Sequence, residues 1–418
     1  MGSLRRIFDK SSDYLALDKI LRVLIAISIV TSFGDNLYGS LLGLYITYNL
    51  GVSILIYGLM NTVQGLVSSL IVFPSGALSD HFGRKAMAII ALIFSISTLA
   101  VLFLAKNLPL LFLVLVLQGL GSSFSDPSRS AYVIDVITKE RRGIAFATLA
   151  FFQSLSSIVA TSIAGIIAGI YGYYWLFSAS LILELIALCS TTLYLKESLH
   201  YMRDAAEERR LSEPPYKNLR NGLAILKSPP LLAVLFGVVF HTVGLGIEGP
   251  YLAIYAQHVL TFSLPSIGLI LGAQQLGIFI GHIPSGRIVD KYGGEISFAF
   301  HILATSPTMI LFTVAGNPVL SSMVLFFWGL SFGLDNVSRQ SLIAKYRLRA
   351  GVATAFGVIS LVSGVISLIS PTIGGWIWTE FSPQMVFYAS AAINALGSLP
   401  LFILWLHNKN HPVNFRRH

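Results

Sequence analysis

Acidic side chains stand inside long apolar stretches of this sequence, and an ionisable group at the centre of a membrane helix costs about 2.5–3.5 kcal/mol. Asp35 lies midway along the apolar stretch 20–48, beside the polar residue Asn36. A carboxyl group removed from water favours its neutral form, so Asp35 is a candidate for taking up and releasing a proton or for binding substrate. The alternative is an acid that hydrogen-bonds to neighbouring helices without titrating.

Ionisable residues also interrupt the apolar stretch 231–257. His241 and Glu248 are seven residues apart, which places them on one face of a helix. Glu248 is a second candidate proton carrier, whereas a lone histidine such as His241 is more often structural. An aspartate–histidine pair would also suit a transition metal, but no dense cluster of ligands accompanies it, so we predict no metal site. Glu184 is predicted to be structural.

Two further acid–base pairs share the spacing of a helix turn. Asp126 and Arg129 are three residues apart, and Asp335 and Arg339 are four apart. Both spacings allow pairing within one helix. Each pair is either a self-neutralised gate that touches no substrate or part of an anion-binding site, and the sequence favours neither.

The composition indicates the elements that must hold these residues. Of 418 residues 55% are hydrophobic and 11% are charged, and mean hydropathy is +0.75; soluble domains are about 25% charged. Apolar stretches of the length that crosses a bilayer as a helix recur along the chain. We therefore predict an all-α membrane protein with twelve transmembrane helices. These predicted spans, numbered in chain order, cover about residues 20–48, 54–78, 86–105, 109–136, 144–170, 175–195, 231–257, 265–288, 296–315, 318–343, 351–376 and 385–406.

The distribution of basic residues predicts the orientation. The net charge is +9, and the bases lie in short loops on one side of the predicted bilayer. Cytoplasmic loops carry such an excess, so we expect both termini in the cytoplasm and the protein in the plasma (inner) membrane. This placement argues against nucleic-acid binding. The single cysteine, Cys189, excludes an internal disulfide.

The sequence repeats itself at an offset of 210 residues. The stretch "GALSDHFGRK", beginning at Gly76, corresponds to "GRIVDKYGGE", beginning at Gly286, and the same register holds from Gly34 with Gly244 to Phe177 with Phe387. We predict two six-helix halves, 1–195 and 231–418, joined by a cytoplasmic linker, 196–230. Parallel repeats of this kind place a substrate site at their interface and transport by rocking.

The first copy of the motif resembles the G-x-L-x-D-x-x-G-R-K signature of the major facilitator superfamily, and the resemblance covers about residues 20–406. The residues that match the signature are Gly76, Asp80, Gly83, Arg84 and Lys85. The second copy retains Gly286, Asp290 and Gly293.

The resemblance implies a gating role for the motif. Gly76 would allow close helix approach, and Gly83 would permit a tight turn between spans 2 and 3. Asp80 would face the positive N-terminus of span 11 and latch the cytoplasmic side. Arg84 would pair with an acid at the cytoplasmic end of span 4, a place that Asp135 fits.

The function that this sequence predicts is secondary active transport of a small organic solute, with proton-coupled export as in multidrug-type exporters. The alternatives are an importer or uniporter of a metabolite or organic anion, and a transport-inactive sensor or scaffold. A nucleotide-binding loop, a nucleophile elbow and a zinc motif are missing from the sequence. We therefore expect neither an enzyme nor an ATP-driven pump, no cofactor, and a monomer whose partners are the solute, protons and the lipid bilayer.

Overall fold

The computed structural model describes residues 19–138, 141–198, 228–346 and 352–410. Within them twelve spans are long and apolar enough to cross a membrane, which confirms the predicted all-α class. Most of the predicted linker lies outside the described residues. The twelve spans comprise, in order, Lys19–Leu44 with Tyr45–Asn49; Ile54–Phe82; Arg84–Leu104; Leu108–Val136; Arg142–Tyr171; Tyr173–Tyr194; Pro229–Glu248 with Gly249–Tyr251 and Leu252–His258; Leu264–Tyr292; Gly294–Thr313; Pro318–Phe332 with Asp335–Lys345; Val352–Ser367 with Ser370–Glu380; and Pro383–Asn410.

Several spans are interrupted, and the interruptions fall at proline or beside a charged residue. Span 7 ends its first helix at Glu248 and passes through a 3₁₀ turn that contains Pro250. Span 11 restarts at Ser370, just before Pro371, because proline suits the first turn of a helix but not its interior. Span 10 restarts at Asp335, which places this acid in a first helical turn, where negative charge is favoured.

The chain forms two compact units that each combine segments from both halves of the sequence. The first unit comprises Met1–Val52, Val63–Ser212 and Ser263–Gly272, and the second comprises Ser53–Thr62, Glu213–Phe262 and Ala273–His418. The first turns of span 2 therefore belong to the second unit, and the first turns of span 8 to the first unit.

The helices pack in the same scheme within each unit. In the first unit span 1 packs against spans 5 and 6, and span 3 packs against spans 4 and 6. In the second unit span 7 packs against spans 11 and 12, and span 9 packs against spans 10 and 12. Adding six to each span number of the first unit gives the scheme of the second, as expected for structural repeats.

Individual contacts repeat as well. Tyr45 stands edge-on to Phe177 with ring centroids 4.9 Å apart, and Tyr255 stands edge-on to Phe387 at 4.8 Å. All four rings are buried. Both pairs obey the offset of 210, so the repeat extends from the sequence to the packing of single side chains.

A repeated glycine brings spans 2 and 4, and likewise spans 8 and 10, into backbone contact. A Cβ added at Gly119 would lie 2.8 Å from the carbonyl oxygen of Gln64, and one at Gly329 would lie 2.3 Å from that of Gln274. Neither place admits a side chain. Small residues are common where membrane helices approach this closely.

The outward surface of the spans carries large exposed apolar side chains, including Leu70, Ile170, Trp175, Ile283 and Phe327. In a soluble protein such a surface would promote aggregation. On apolar membrane spans such a surface suits contact with lipid, because lipid tails are as apolar as leucine.

Candidate functional site

A cavity of about 360 Å³ opens within the first unit, and most of the polar groups predicted for span 1 and span 4 line it. This volume lies within the range of small-molecule sites, about 300–1,000 Å³. Arg84 of span 3 also belongs to the lining, and tyrosine, serine, threonine and aliphatic side chains complete the wall. The charged and amide residues of spans 1, 2, 4, 5 and 6 in the lining are Asp35, Asn36, Gln64, Gln118, Asp126, Arg129, Gln153 and Glu184.

Asp35 presents its side chain to the cavity. A place removed from bulk water was expected for Asp35, and the side chain is exposed to the cavity that span 1 borders. Its neighbour Asn36 is instead fixed between helices: the amide donates to the Ser32 carbonyl at 2.8 Å and to Ser157 Oγ at 3.0 Å. Asn36 therefore ties span 1 to span 5 and orients the turn that carries Asp35.

Glu184, which was predicted to be structural, lies in the same lining as Asp35. A Cβ added at Gly34 would lie 2.8 Å from Glu184 Oε1, so this carboxyl group rests against the backbone of span 1 one residue from Asp35. Glu184 is 1% exposed, and neither of its oxygens has a hydrogen-bond partner among the described residues. An ionised carboxylate in such a place is costly, and binding a proton or a cation removes that cost.

The two predicted acid–base pairs form, but their surroundings differ. Arg129 pairs with Asp126 on span 4, and the two side chains are 29% and 72% exposed. Arg339 pairs with Asp335 on span 10, where the acid is only 5% exposed. The span 4 pair therefore lies in an open part of the cavity wall, while Asp335 is buried.

This difference predicts unequal costs of breaking the pairs. We expect Arg129→Ala to lower the free energy of unfolding by less than about 1 kcal/mol, because exposed ion pairs contribute little. Arg339→Ala leaves Asp335 buried without its cation, and we expect a loss of at least about 2 kcal/mol. Unfolding of the purified variants in detergent measures both. Equal losses at the two sites would contradict the inferred difference in burial.

The motif residues form a buried network around Arg84, which is 2% exposed. Arg84 Nε donates to Asp135 Oδ2 at 3.0 Å, and its Nη2 lies 2.6 Å from Asp80 Oδ1. Asp135, expected as the partner, is as buried as the arginine, whereas Asp80 is 58% exposed. Lys85 extends instead to the Thr192 carbonyl at 2.7 Å.

Glu197 completes this network, although no pattern in the sequence pointed to it. Its carboxylate accepts the backbone N–H of Arg84 at 2.9 Å and that of Lys85 at 3.2 Å. These are the first amides of span 3, so an acid from the chain beyond span 6 caps the positive end of that helix. Gly83 before it has φ 107°, and a Cβ there would meet Glu197.

The expected role of Gly76 is wrong. A Cβ added at Gly76 would meet no atom of the described residues within 4 Å, so no close helix approach depends on this glycine. The close approach to span 2 occurs instead at Gly119 of span 4.

The second motif copy carries an ion pair of inverted polarity. Glu295, 2% exposed, accepts hydrogen bonds from Lys345 and Tyr346, and from Asn408 at 3.0 Å. Burial and the hydrogen bond to Glu295 raise the pKa of the Tyr346 hydroxyl, which therefore stays protonated and donates. At the offset of 210 Lys345 corresponds to Asp135 and Glu295 to Lys85, next to Arg84. Asp290 is exposed.

Glu248 and His241 lie in the second unit, both buried on span 7. Neither oxygen of Glu248 has a hydrogen-bond partner of normal geometry among the described residues. His241 was expected to be a lone histidine, and this is wrong: it contacts Asn394 and His301. Neither His241 nor Glu248 belongs to the lining of the first unit's cavity.

Comparison with known proteins agrees with this architecture. The profile of the Major Facilitator Superfamily matches residues 24–346 and 234–417. Multidrug resistance protein 2 of Bacillus subtilis (strain 168) is 26% identical over 352 residues, which are 82% of this chain and 85% of that protein. The multi-drug resistance efflux pump PmrA of Streptococcus pneumoniae is 25% identical over 384 residues, 88% of this chain and 93% of the pump.

Solved structures share the fold at low sequence identity. The nucleoside transporter NupG superposes with a TM-score of 0.76 at 14% identity, over 93% of this chain and 99% of that one. A peptide transporter, POT, superposes with a TM-score of 0.73 at 16% identity, over 93% and 94%. Twelve spans, a repeated packing scheme and a profile match over most of the chain lead to one conclusion: this membrane protein is a secondary transporter, not an enzyme, and it belongs to the major facilitator superfamily.

Proposed function

We propose that this transporter exports small organic solutes in exchange for protons. The observation that carries the proposal is the pair of acids in the first unit's cavity, Asp35 exposed to the space and Glu184 buried without a hydrogen bond to any described residue. Two acids that line one cavity are not both ionised without cost, so one of them is suited to exchange a proton when the polarity of the cavity changes. Relatives named as multidrug resistance and efflux proteins support the outward direction.

The rival activity, uptake of an organic anion, needs an arginine that is free to bind a negative group. Arg129 and Arg84 line the same cavity as Asp35, and both already pair with aspartates. Arg339 is likewise paired with Asp335. These pairings favour export of neutral or cationic solutes over uptake of anions.

Flux into proteoliposomes with an imposed pH gradient tests the proposal. The full chain is reconstituted, the membrane potential is clamped, and the cargo is a quaternary ammonium dye, which does not redistribute with pH by itself. Exchange for protons predicts accumulation in vesicles with an acidic lumen. One proton per solute and a gradient of one pH unit supply about 1.4 kcal/mol, hence about tenfold accumulation.

The opposite gradient and protein-free vesicles complete the design. Accumulation only with an alkaline lumen would replace export by proton-coupled import, and flux that equilibrates without responding to either gradient would indicate a uniporter. No flux above that of protein-free vesicles would favour the sensor or scaffold.

We propose further that the protein works as a monomer in the plasma membrane, with both termini in the cytoplasm, and that the motif around Asp80 belongs to its gate. The bases in the loops support this orientation. The exposure of Asp80 supports a gating role. Its partner Arg84 is buried, so the contact can break at the Asp80 side without exposing buried side chains.

Asp80→Asn should therefore change transport and leave the fold intact. The ion pair involves an exposed acid, so we expect the free energy of unfolding to fall by less than about 1 kcal/mol, while solute flux falls several-fold. Asp290→Asn, at the corresponding place in the second unit, is the matched control. Wild-type flux in Asp80→Asn, together with unchanged labelling of the cytoplasmic face, would remove Asp80 from the gate.

A further inference from the structure

Two histidines and an aspartate converge in the interior of the second unit. His241 on span 7, His301 on span 9 and Asp335 on span 10 each offer one ligand atom, and these atoms lie within 4.8 Å of one another. The three residues are 2%, 0% and 4% exposed. They are far apart in the sequence and come together only because their spans pack against each other.

The hydrogen bonds of the His241 ring fix which nitrogen carries the proton. Asn394 donates its amide to the Ser390 carbonyl at 3.0 Å, so its Oδ1 faces His241. His241 Nδ1 lies 2.7 Å from that oxygen and must therefore donate to it. The neutral ring then has a lone pair, and no hydrogen, on Nε2.

The position of the proton on the His301 ring follows from its contact with Ser331. Ser331 Oγ lies 2.8 Å from the Trp328 carbonyl, and a hydroxyl whose hydrogen points to that carbonyl accepts from the ring. His301 Nδ1 lies 3.3 Å from the hydroxyl oxygen and donates to it in this arrangement. Nε2 of His301 is therefore also the nitrogen with the lone pair.

The two Nε2 atoms face each other at 3.1 Å. Two lone pairs at this distance repel unless a cation lies between or beside them. Bonds of about 2.0–2.1 Å from one Zn²⁺ to two imidazole nitrogens hold those nitrogens about 2.9–3.4 Å apart at ordinary bond angles. The observed distance therefore suits two neighbouring ligands of one metal ion.

Asp335 supplies a third ligand. Its Oδ2 pairs with Arg339, while its buried Oδ1 has no hydrogen-bond partner among the described residues. Its ligand oxygen lies within 4.8 Å of both imidazole nitrogens, and rotation about the side-chain torsions of aspartate would bring it closer to the same ion. Arg339 and Asn394 then act as the outer partners that orient ligands in metal sites.

We propose that His241, His301 and Asp335 bind a divalent transition metal ion, Zn²⁺ or an ion of similar preference. Two imidazoles and one carboxylate suit such ions better than Ca²⁺ or Mg²⁺, which prefer oxygen. The ring of Phe332 lies 5.4 Å from that of His301 and 6.4 Å from that of His241, so the ion would sit in a mostly apolar shell. Its bound form would link spans 7, 9 and 10.

Metal binding to the full-length protein in detergent tests this site directly. The protein is purified through a tag without histidine, stripped with a chelator and titrated with Zn²⁺ and, for its absorption spectrum, with Co²⁺. We expect one equivalent to bind and to raise the midpoint of thermal unfolding. His301→Gln and Asp335→Asn should weaken binding by about 100-fold or more, and Asn394→Leu by about 10- to 100-fold.

His258→Gln is the matched control, because it removes a histidine of span 7 outside the cluster and should leave the bound equivalent unchanged. Thermal unfolding of each variant without metal shows that it is folded. Absence of a stoichiometric Zn²⁺ or Co²⁺ site in the wild type would overturn the proposal and leave a histidine pair that shares a proton. Binding that His301→Gln does not weaken would overturn it as well.

Discussion

Proteoliposomes that contain Asp35→Asn should bind cargo and exchange it across the membrane, but should not accumulate it against a gradient. Asparagine has about the size of protonated aspartate and, like it, carries no charge. It cannot release a proton, so the link between the proton gradient and the solute is lost. Where the wild type reaches about tenfold accumulation per pH unit, we expect the variant to equilibrate at a ratio near one.

The position of Asp35 is the reason for this expectation. It is exposed to the cavity of the first unit, while the adjacent Asn36 is immobilised by its hydrogen bonds to Ser32 and Ser157. A carboxylate on a rigid turn experiences whatever fills the cavity, either water or solute. Its proton affinity therefore depends on the state of the transporter, which is the requirement for coupling.

Two matched variants make the result interpretable. Glu184→Gln removes the other acid of the same cavity, and Glu248→Gln removes the buried acid of the second unit. Accumulation at the wild-type level in Asp35→Asn would make the assignment wrong. Loss in Glu184→Gln alone would transfer the role within the cavity, and loss in Glu248→Gln alone would transfer it to span 7.

The second large effect concerns stability. We expect Arg84→Met to lower the free energy of unfolding by about 3–5 kcal/mol, because it leaves Asp135 buried without its cation. Asp135→Leu should have a similar cost for the opposite reason. The double variant should lose clearly less than the sum of the two single losses, since it leaves no unpaired charge in this place.

Unfolding in detergent, followed by circular dichroism, measures these differences. Lys85→Met is the matched control: it is the neighbouring base, its side chain reaches only a carbonyl at 2.7 Å, and we expect a loss below about 1 kcal/mol. Additive losses in Arg84→Met and Asp135→Leu would mean that the two side chains do not stabilise each other.

The elements of this fold are predictable from local sequence. Apolar stretches of bilayer length identify the twelve spans, and the register of 210 residues identifies the repeat, because both signals lie along the chain. The pairing of Asp126 with Arg129 and of Asp335 with Arg339 is predictable for the same reason, since residues three or four apart on a helix are neighbours.

Which residues meet in a site depends on contacts between spans that are distant in the sequence. Such contacts leave no obvious pattern in a single sequence. His301 gave no signal, because its partner His241 is 60 residues away. Glu184 did give a signal, an acid inside an apolar span, but the direction in which its side chain points depends on how span 6 packs on span 1. The exposure of Asp35 is likewise a property of the cavity and not of its own span.

The inverted ion pair of the second unit shows what an internal repeat preserves. An alignment by residue identity scores Glu295 opposite Lys85 and Lys345 opposite Asp135 as mismatches. The structure nevertheless holds a buried acid–base bond between the start of one span and the end of the next in both units. An ion pair forms whichever partner is the acid, so replacing acid by base at one position and base by acid at the other keeps the bond. The two copies therefore differ less in their physical interactions than in their residue identities. A motif search that demands Arg-Lys will underestimate the internal symmetry of such chains.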